Sequence, residues 1–457
     1  MATVLSSERD NALTSALPLT LDDDRTIFRA SILHTPRNPF QDSRALESYE
    51  DGGLLIGGGR VIACGDYQDV RGAHPDADVR DLRAGFLLPG LVDTHIHFPQ
   101  VRIIGGLGRQ LLDWLEQVAL PEEARMADLA YARDTAQLFV RALACHGTTT
   151  ALVFGAHFAD ATAALFDAAE TSGLRIISGM TLSDRLLLPE LRQNPESAYR
   201  NCADLIGRYH LRGRMLYAVT PRFALSASEA MLEVCETLLA EHPGLRFQTH
   251  LNENRLEIEE VARLFPWADD YLAVYERFRL ARRGAVMAHN VHPSASEFER
   301  LAAGGAAVSH CPCSNGALGS GFFPMRRHLD AGVKFALGTD VGGGTGFGVL
   351  KEGLQAYTFQ RLCPDGVSLK PGDLLYLATR AGAEALLLDE EIGDFTPGKA
   401  ADFVYLRAGE GSSLGSVLER VDSMDQALAA LFTLAGSESV REVYVAGDQI
   451  YADPPVR

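Results

Sequence analysis

Phe86-Leu-Leu-Pro-Gly-Leu-Val-Asp-Thr-His95-Ile-His97 is an apolar run that closes on two histidines. A strand apolar on both faces belongs in a parallel sheet covered by helices. Outward from it, seven further runs of the same kind follow, each separated from the next by a longer, helix-like stretch. They are Thr148 to Phe154, Leu174 to Gly179, Met215 to Pro221, Leu245 to Leu251, Gly284 to Asn290, Ala306 to Pro312 and Val333 to Asp340. Such alternation builds parallel sheets, and eight strands joined by helices predict an α/β fold, a closed (β/α)8 TIM barrel. An open doubly wound sheet is the structural alternative.

The flanks read differently. Residues 51 to 85, and the C-terminal segments Ala401-Asp-Phe-Val-Tyr-Leu and Val440-Arg-Glu-Val-Tyr-Val-Ala-Gly, look like short strands with glycine turns. Neither flank is long enough to build a core alone, so the two are expected to pair into one small β-sandwich, with the barrel inserted between its halves. The expected division is residues 1–88 and 396–457 for the sandwich and 89–395 for the barrel, with roughly the first 20 residues poorly ordered.

The chain has 457 residues, with 42 Lys and Arg against 60 Asp and Glu and a formal net charge of −18. That balance excludes nucleic acid as the expected ligand. Seven cysteines are scattered without a Cys-x-x-Cys pair, as for thiols in a reducing cytoplasm. No basic-then-apolar leader opens the chain and no segment approaches the roughly 20 apolar residues of a membrane span, so a cytoplasmic protein without membrane contact is expected.

The chemistry concentrates where the runs end. Residues i and i+2 of a strand share a face, so His95 and His97 present two imidazoles side by side. His250 closes Phe247-Gln-Thr-His, His289 closes Val286-Met-Ala-His, and Asp340 closes Ala336-Leu-Gly-Thr-Asp. In TIM barrels the C-terminal strand ends form the active site. Three imidazoles and a carboxylate suit Zn²⁺ or Fe²⁺, and such an ion lowers the pKa of water from about 15.7 to about 7. Glu253, three residues beyond His250, is near enough to act as a proton shuttle. The run Leu216-Tyr-Ala-Val-Thr-Pro-Arg222 has no lysine that could bridge two metals, which points to a mononuclear site.

Pro89-Gly-Leu-Val-Asp-Thr-His-Ile-His, the two later strand-end histidines and Gly338-Thr-Asp340 together resemble the amidohydrolase superfamily, and Thr396-Pro-Gly-Lys-Ala-Ala-Asp-Phe-Val is similar to the return strand of its small sandwich. Within it, His97-Phe-Pro-Gln100, Thr220-Pro-Arg222-Phe223, His250-Leu-Asn-Glu253, His310-Cys-Pro-Cys-Ser-Asn and Gly338-Thr-Asp340-Val-Gly-Gly-Gly are similar to the guanine deaminase family. The resemblance implies hydrolysis of guanine to xanthine and ammonia, one Zn²⁺ per subunit on His95, His97, His250 and Asp340, and a homodimer. It also implies that Gln100, Arg222 and Phe223 line the purine pocket, that Glu253 shuttles protons and that His289 contacts substrate near the reacting amine. An arginine fork is the common partner of the O6 and N7 acceptors of guanine, and an aromatic face suits a planar base.

Cys313 departs from the family pattern, where Asn is expected, and reads as a small hydrophobe. His157 and His310 read as supporting or packing residues. A mononuclear amidohydrolase of another amino-heterocycle (triazine, pterin, adenine or cytosine) remains the alternative reading.

Overall fold

Gly90 divides the first apolar run in two. The computed structural model, which describes residues 25–453, ends one strand at Pro89 and begins another at Leu91. Proline has no N–H for a ladder. The Gly90 N–H donates to the Asp402 carbonyl (2.9 Å), and a Cβ on Gly90 would lie 2.1 Å from Thr149 Oγ1. The single strand expected from Phe86 to His97 is therefore two, one in each sheet. The expected disorder at the N-terminus falls on residues outside the described range.

In chain order, β1 (Thr26–His34), β2 (Glu47–Gly57), β3 (Arg60–Asp66) and β4 (Asp78–Pro89) precede the barrel. The barrel strands are β5 (Leu91–His97), β6 (Thr148–Phe154), β7 (Arg175–Gly179), the two-residue β8 (Thr181–Leu182), β9 (Leu216–Pro221), β10 (Arg246–Leu251), β11 (Ala285–His289), β12 (Ala307–His310) and β13 (Phe335–Leu337). Then come β14 (Phe403–Leu406), β15 (Val440–Val445) and β16 (Asp448–Ala452).

The barrel strands pair in parallel in the order β13-β12-β11-β10-β9-β7-β6-β5, with β8 beside β9. Closure comes from the last strand's exit: the Asp340 N–H donates to the His95 carbonyl at 2.8 Å, and the His97 N–H to the Val341 carbonyl at 3.1 Å. Asp93 laces the same seam, accepting from the Thr339 hydroxyl (2.5 Å), the Thr339 N–H (3.1 Å) and the His95 N–H (3.1 Å). The (β/α)8 barrel is thus the architecture, and its strands are buried along nearly their whole length, as their unbroken apolarity requires. Helices cover them and carry ordinary start signals. Asp128 caps Leu129–Cys145, Ser294 and Glu297 form a capping box on Ala295–Gly304, and Asn254 and Glu257 do so on Arg255–Leu264.

β13 is shorter than the run from Val333 to Asp340 implied. Gly338 sits against His95, where a Cβ would lie 2.8 Å from the histidine Cβ, and Asp340 takes φ +47°. Asp340 departs from strand geometry, and the ladder stops at Leu337.

The two chain ends build one seven-stranded sheet, in the order β16-β15-β14-β4-β1-β2-β3. It folds over on itself. Its edge strand β3 reaches the segment before β14, with the Val61 N–H donating to Lys399 O (2.8 Å) and the Ala401 N–H to Gly59 O (2.9 Å). Inside the fold, Phe403 stacks on Tyr444 at 4.3 Å and meets Phe28 edge-on at 5.1 Å. Neither end of the chain could form this core alone. No helix among the described residues is long and apolar enough to cross a membrane.

Candidate active site

His95 and His97 leave β5 on one face, and β10, β11 and the turn after β13 bring His250, His289 and Asp340 to them; all are buried. The Nε2 atoms of His95 and His97 lie 3.3 Å apart, as do those of His97 and His250. Asp340 Oδ1 is 3.2 Å from His95 Nε2 and 3.3 Å from His97 Nε2. With metal–nitrogen bonds of about 2.0 to 2.1 Å, two tetrahedral ligand atoms sit about 3.3 to 3.4 Å apart. These side chains therefore have the spacing of ligands around one ion. One ligand atom each from His95, His250, His289 and Asp340 also lies within 4.8 Å of all the others.

The protein fixes which nitrogen each imidazole offers. His250 Nδ1–H donates to the Arg222 carbonyl (2.6 Å), and His289 Nδ1–H to Asn315 Oδ1 (3.0 Å), so both Nε2 lone pairs point into the cluster. His289 Nε2 is buried and has no hydrogen-bond partner among the described residues, an orphan that a ligand or water would satisfy. Burial holds His97 neutral, pushing it down to about 4, and burial together with the neighbouring imidazoles pushes His250 well below its ordinary range. Burial opposes ionisation of Asp340, yet His95 and His97 hold it well below the usual carboxylate range. Neutral imidazoles around an anionic carboxylate are the protonation states a cation requires.

Two of these residues sit in the left-handed region of backbone space, His289 at φ +71° and Asp340 at φ +47°. Each such non-glycine residue costs on the order of 1 to 3 kcal/mol, and such strain gathers at functional sites.

Glu253 lies across from them, with Oε2 3.4 Å from His289 Nε2 and Oε1 accepting from the Ser320 hydroxyl at 3.4 Å. Burial, reinforced by Asp340, pushes its pKa well above the usual carboxylate range. A cleft opens over the cluster, lined by His97, Gln100, Arg222, Phe223, Glu253 and Asp340 with a wall of Leu111, Trp114, Leu115 and Leu318. The structure therefore brings together every site residue expected from the sequence.

It also adds one that the sequence reading missed. Glu123 is buried, and both its oxygens accept from Arg222 Nη1 at 2.7 Å, while Oε1 also accepts from Gln100 Nε2 at 2.7 Å. Gln100 Oε1 in turn accepts from the Gly342 N–H at 3.0 Å. Glu123 and Trp114 come from the irregular segment after β5, which mixes short 3-10, π and α turns. No periodicity marks such a segment, though an isolated Trp and a Glu-Glu pair after a proline were its visible signals. His157 joins the group, with Nδ1 3.3 Å from Glu123 Oε2, whereas His310 stacks on Phe323 at 4.2 Å and packs. Cys313 is a buried free thiol whose backbone N–H donates to Glu352 (2.9 Å).

Residues 86–450 match the Amidohydrolase family. A probable guanine deaminase of Deinococcus radiodurans is 55% identical over 432 residues, covering 93% of this chain and 98% of its own. The chain is an amidohydrolase of the guanine deaminase family. The guanine deaminase of Escherichia coli is 39% identical over 92% of this enzyme and 95% of its own length. The enzyme superimposes on a solved E. coli guanine deaminase with a TM-score of 0.90 at 38% identity, covering 93% of this chain and 99% of that one. A Clostridium acetobutylicum guanine deaminase with guanine bound in its active site gives 0.86 at 25% identity, covering 94% of this chain and 100% of that one.

Proposed function

We propose that this enzyme hydrolyses the C2 amine of guanine to give xanthine and ammonia, using one Zn²⁺ per subunit held by His95, His97, His250 and Asp340. The observation that carries the metal assignment is the 3.2 to 3.3 Å spacing of His97 from His95, His250 and Asp340 and of Asp340 from His95. His289 joins the cluster at its edge toward Glu253, its Nε2 3.4 Å from Glu253 Oε2 and 3.8 Å from Asp340 Oδ2, which suits a role toward the reacting amine and oxygen. A zinc ion in this cluster would supply hydroxide at neutral pH by lowering the pKa of water to about 7.

The protein's part is orientation and proton transfer. Among the described residues, Arg222 Nε and Nη2 have no protein partner, because Glu123 engages Nη1 alone. Those two donors form the fork that suits O6 and N7 of a guanine. Phe223 supplies a face for the ring, and Gln100 stands beside them with its amide pinned. This leaves C2 toward Glu253. Glu253 takes the proton that the attacking water loses and returns it to N3 as C2 becomes tetrahedral. The C2 amine takes the proton that the new C2 hydroxyl releases, the C2–N bond breaks to free ammonia, and the carbonyl of xanthine forms.

Seven free thiols agree with a reducing cytoplasm, and the family resemblance implies a homodimer serving purine catabolism. The decisive experiment incubates zinc-replete enzyme with guanine, adenine, cytosine and melamine and measures ammonia and the products. Turnover of guanine alone, abolished by a chelator and restored by zinc, is expected; turnover of another amine with none of guanine would reassign the pocket to a different amino-heterocycle.

A further inference from the structure

Glu123 has no place in the chemistry just described and does not line the cleft, yet it is almost wholly buried among polar side chains from three strand ends. Arg222 follows β9, Gln100 follows β5 and His157 follows β6. A carboxylate in such a place is costly unless its oxygens are satisfied. Here they accept three hydrogen bonds of 2.7 Å, two from one Arg222 nitrogen and one from Gln100. Burial acts to raise its pKa, but Arg222 and His157 outweigh that and hold it at about 2, so it is an anion at any pH at which the enzyme works.

We infer that Glu123 is a positioning residue for substrate selection: it aims the free edge of Arg222 and the amide of Gln100 at the 6-oxo side of a purine. The inference rests on the purine-pocket reading given above for Arg222 and Gln100. The geometry shows how the aiming works. A guanidinium on a flexible stem can turn about its side-chain torsions, and pairing Nη1 with both oxygens of one fixed anion leaves Nε–H and Nη2–H pointing one way. Gln100 is held at both ends of its amide, by Glu123 and by the Gly342 N–H, so it cannot flip its oxygen toward the ligand. The pocket then presents donors where a 6-oxo purine offers acceptors. Because Glu123 lies on the segment that also carries Leu111, Trp114 and Leu115, the same contact ties the wall of the cleft to its recognition edge.

The test is Glu123→Gln, isosteric and uncharged, assayed with guanine and with 2-aminopurine, which carries the same C2 amine but no O6. Metal content and Tm are measured on the same preparation. Expected is a rise of at least tenfold in KM for guanine, with kcat within threefold of wild type and zinc retained. The ratio of kcat/KM for guanine to that for 2-aminopurine should fall at least tenfold, because the missing O6 contact has already been lost for the second substrate. A purely structural role would lower both substrates by one factor and leave the ratio intact, and that result would overturn the inference. Should E123Q not fold, Glu123→Asp, which keeps the charge and retracts it by one methylene, carries the same KM and ratio test. Arg222→Ala separates the two readings. If it raises the KM for guanine while the Glu123 variants do not, the positioning role alone falls; if Arg222→Ala leaves that KM unchanged, the pocket reading falls first.

Discussion

The two ends of the active site are built on different principles. The metal end takes its side chains from strand termini: His95 and His97 on β5, His250 on β10, His289 on β11, Asp340 just past β13. Strand ends in a closed barrel have little freedom, and the seam bonds between Asp340, His95 and His97 fix them further. The purine end takes its walls from insertions. Trp114, Leu115 and Glu123 come from the segment between β5 and β6, and Leu318 follows the short helix Pro312–Ala317 after β12. On the proposed reading, strand ends carry the reacting groups and the donors Arg222 and Gln100, and the segments on top supply the apolar wall and the Glu123 anion behind those donors.

That division can be broken by mutation. Asp340→Ala should act hardest, removing bound zinc and lowering kcat/KM on the order of 10⁴-fold; metal analysis showing a full equivalent of zinc on this variant would refute the ligand assignment. Glu253→Gln should retain zinc and lose about 10³ in kcat, in the range of general acid–base contributions. Near wild-type turnover by that protein would remove Glu253 from proton transfer. At the purine end, Arg222→Ala should cost about 100-fold in kcat/KM, or ~2.8 kcal/mol at ~1.4 kcal/mol per decade, mostly in KM. Trp114→Ala should raise KM only about tenfold, through lost wall area, and steady-state kinetics showing a kcat loss larger than that for Glu253→Gln would contradict the proposed split.

The outer sheet sharpens the same comparison from a distance. Phe403→Ala empties the ring stack with Tyr444 and should cost about 3 to 5 kcal/mol of stability, read as a lowered denaturation midpoint, while kcat and KM of the folded enzyme stay unchanged. Altered kinetics in that variant would mean that the sheet and the barrel mouth are coupled, which the strand-end picture does not require.

Much of the metal end was legible because its signals are local. His95-x-His97 on one strand face, and a histidine or aspartate closing each of three other runs, are patterns that period 2 and barrel geometry convert directly into convergence. Arg222, Phe223 and Glu253 were legible for a related reason, since each lies within a few residues of a strand end. Gln100 was legible only through the family resemblance. Glu123 was marked only by the Glu-Glu pair after a proline and was missed: it is 23 residues from Gln100 and 99 from Arg222, in a stretch where no period holds. The first apolar run misled for the opposite reason. Its apolarity continues through Pro89 and Gly90 because both of its halves are buried, although in different sheets.

By itself the sequence determined the periods, the burial of each run and the residue types at each strand end, and from those come the α/β class, the barrel and the candidate ligands. Tertiary structure alone decided that Gly90 hands the chain from one sheet to the other, that the β3 edge closes against residues 399–401, and that Glu123 sits behind Arg222. The reason is physical. Periodicity reports which side of an element meets apolar surroundings, whereas the partner of a buried charge is set by which distant segments share a volume once the barrel has closed.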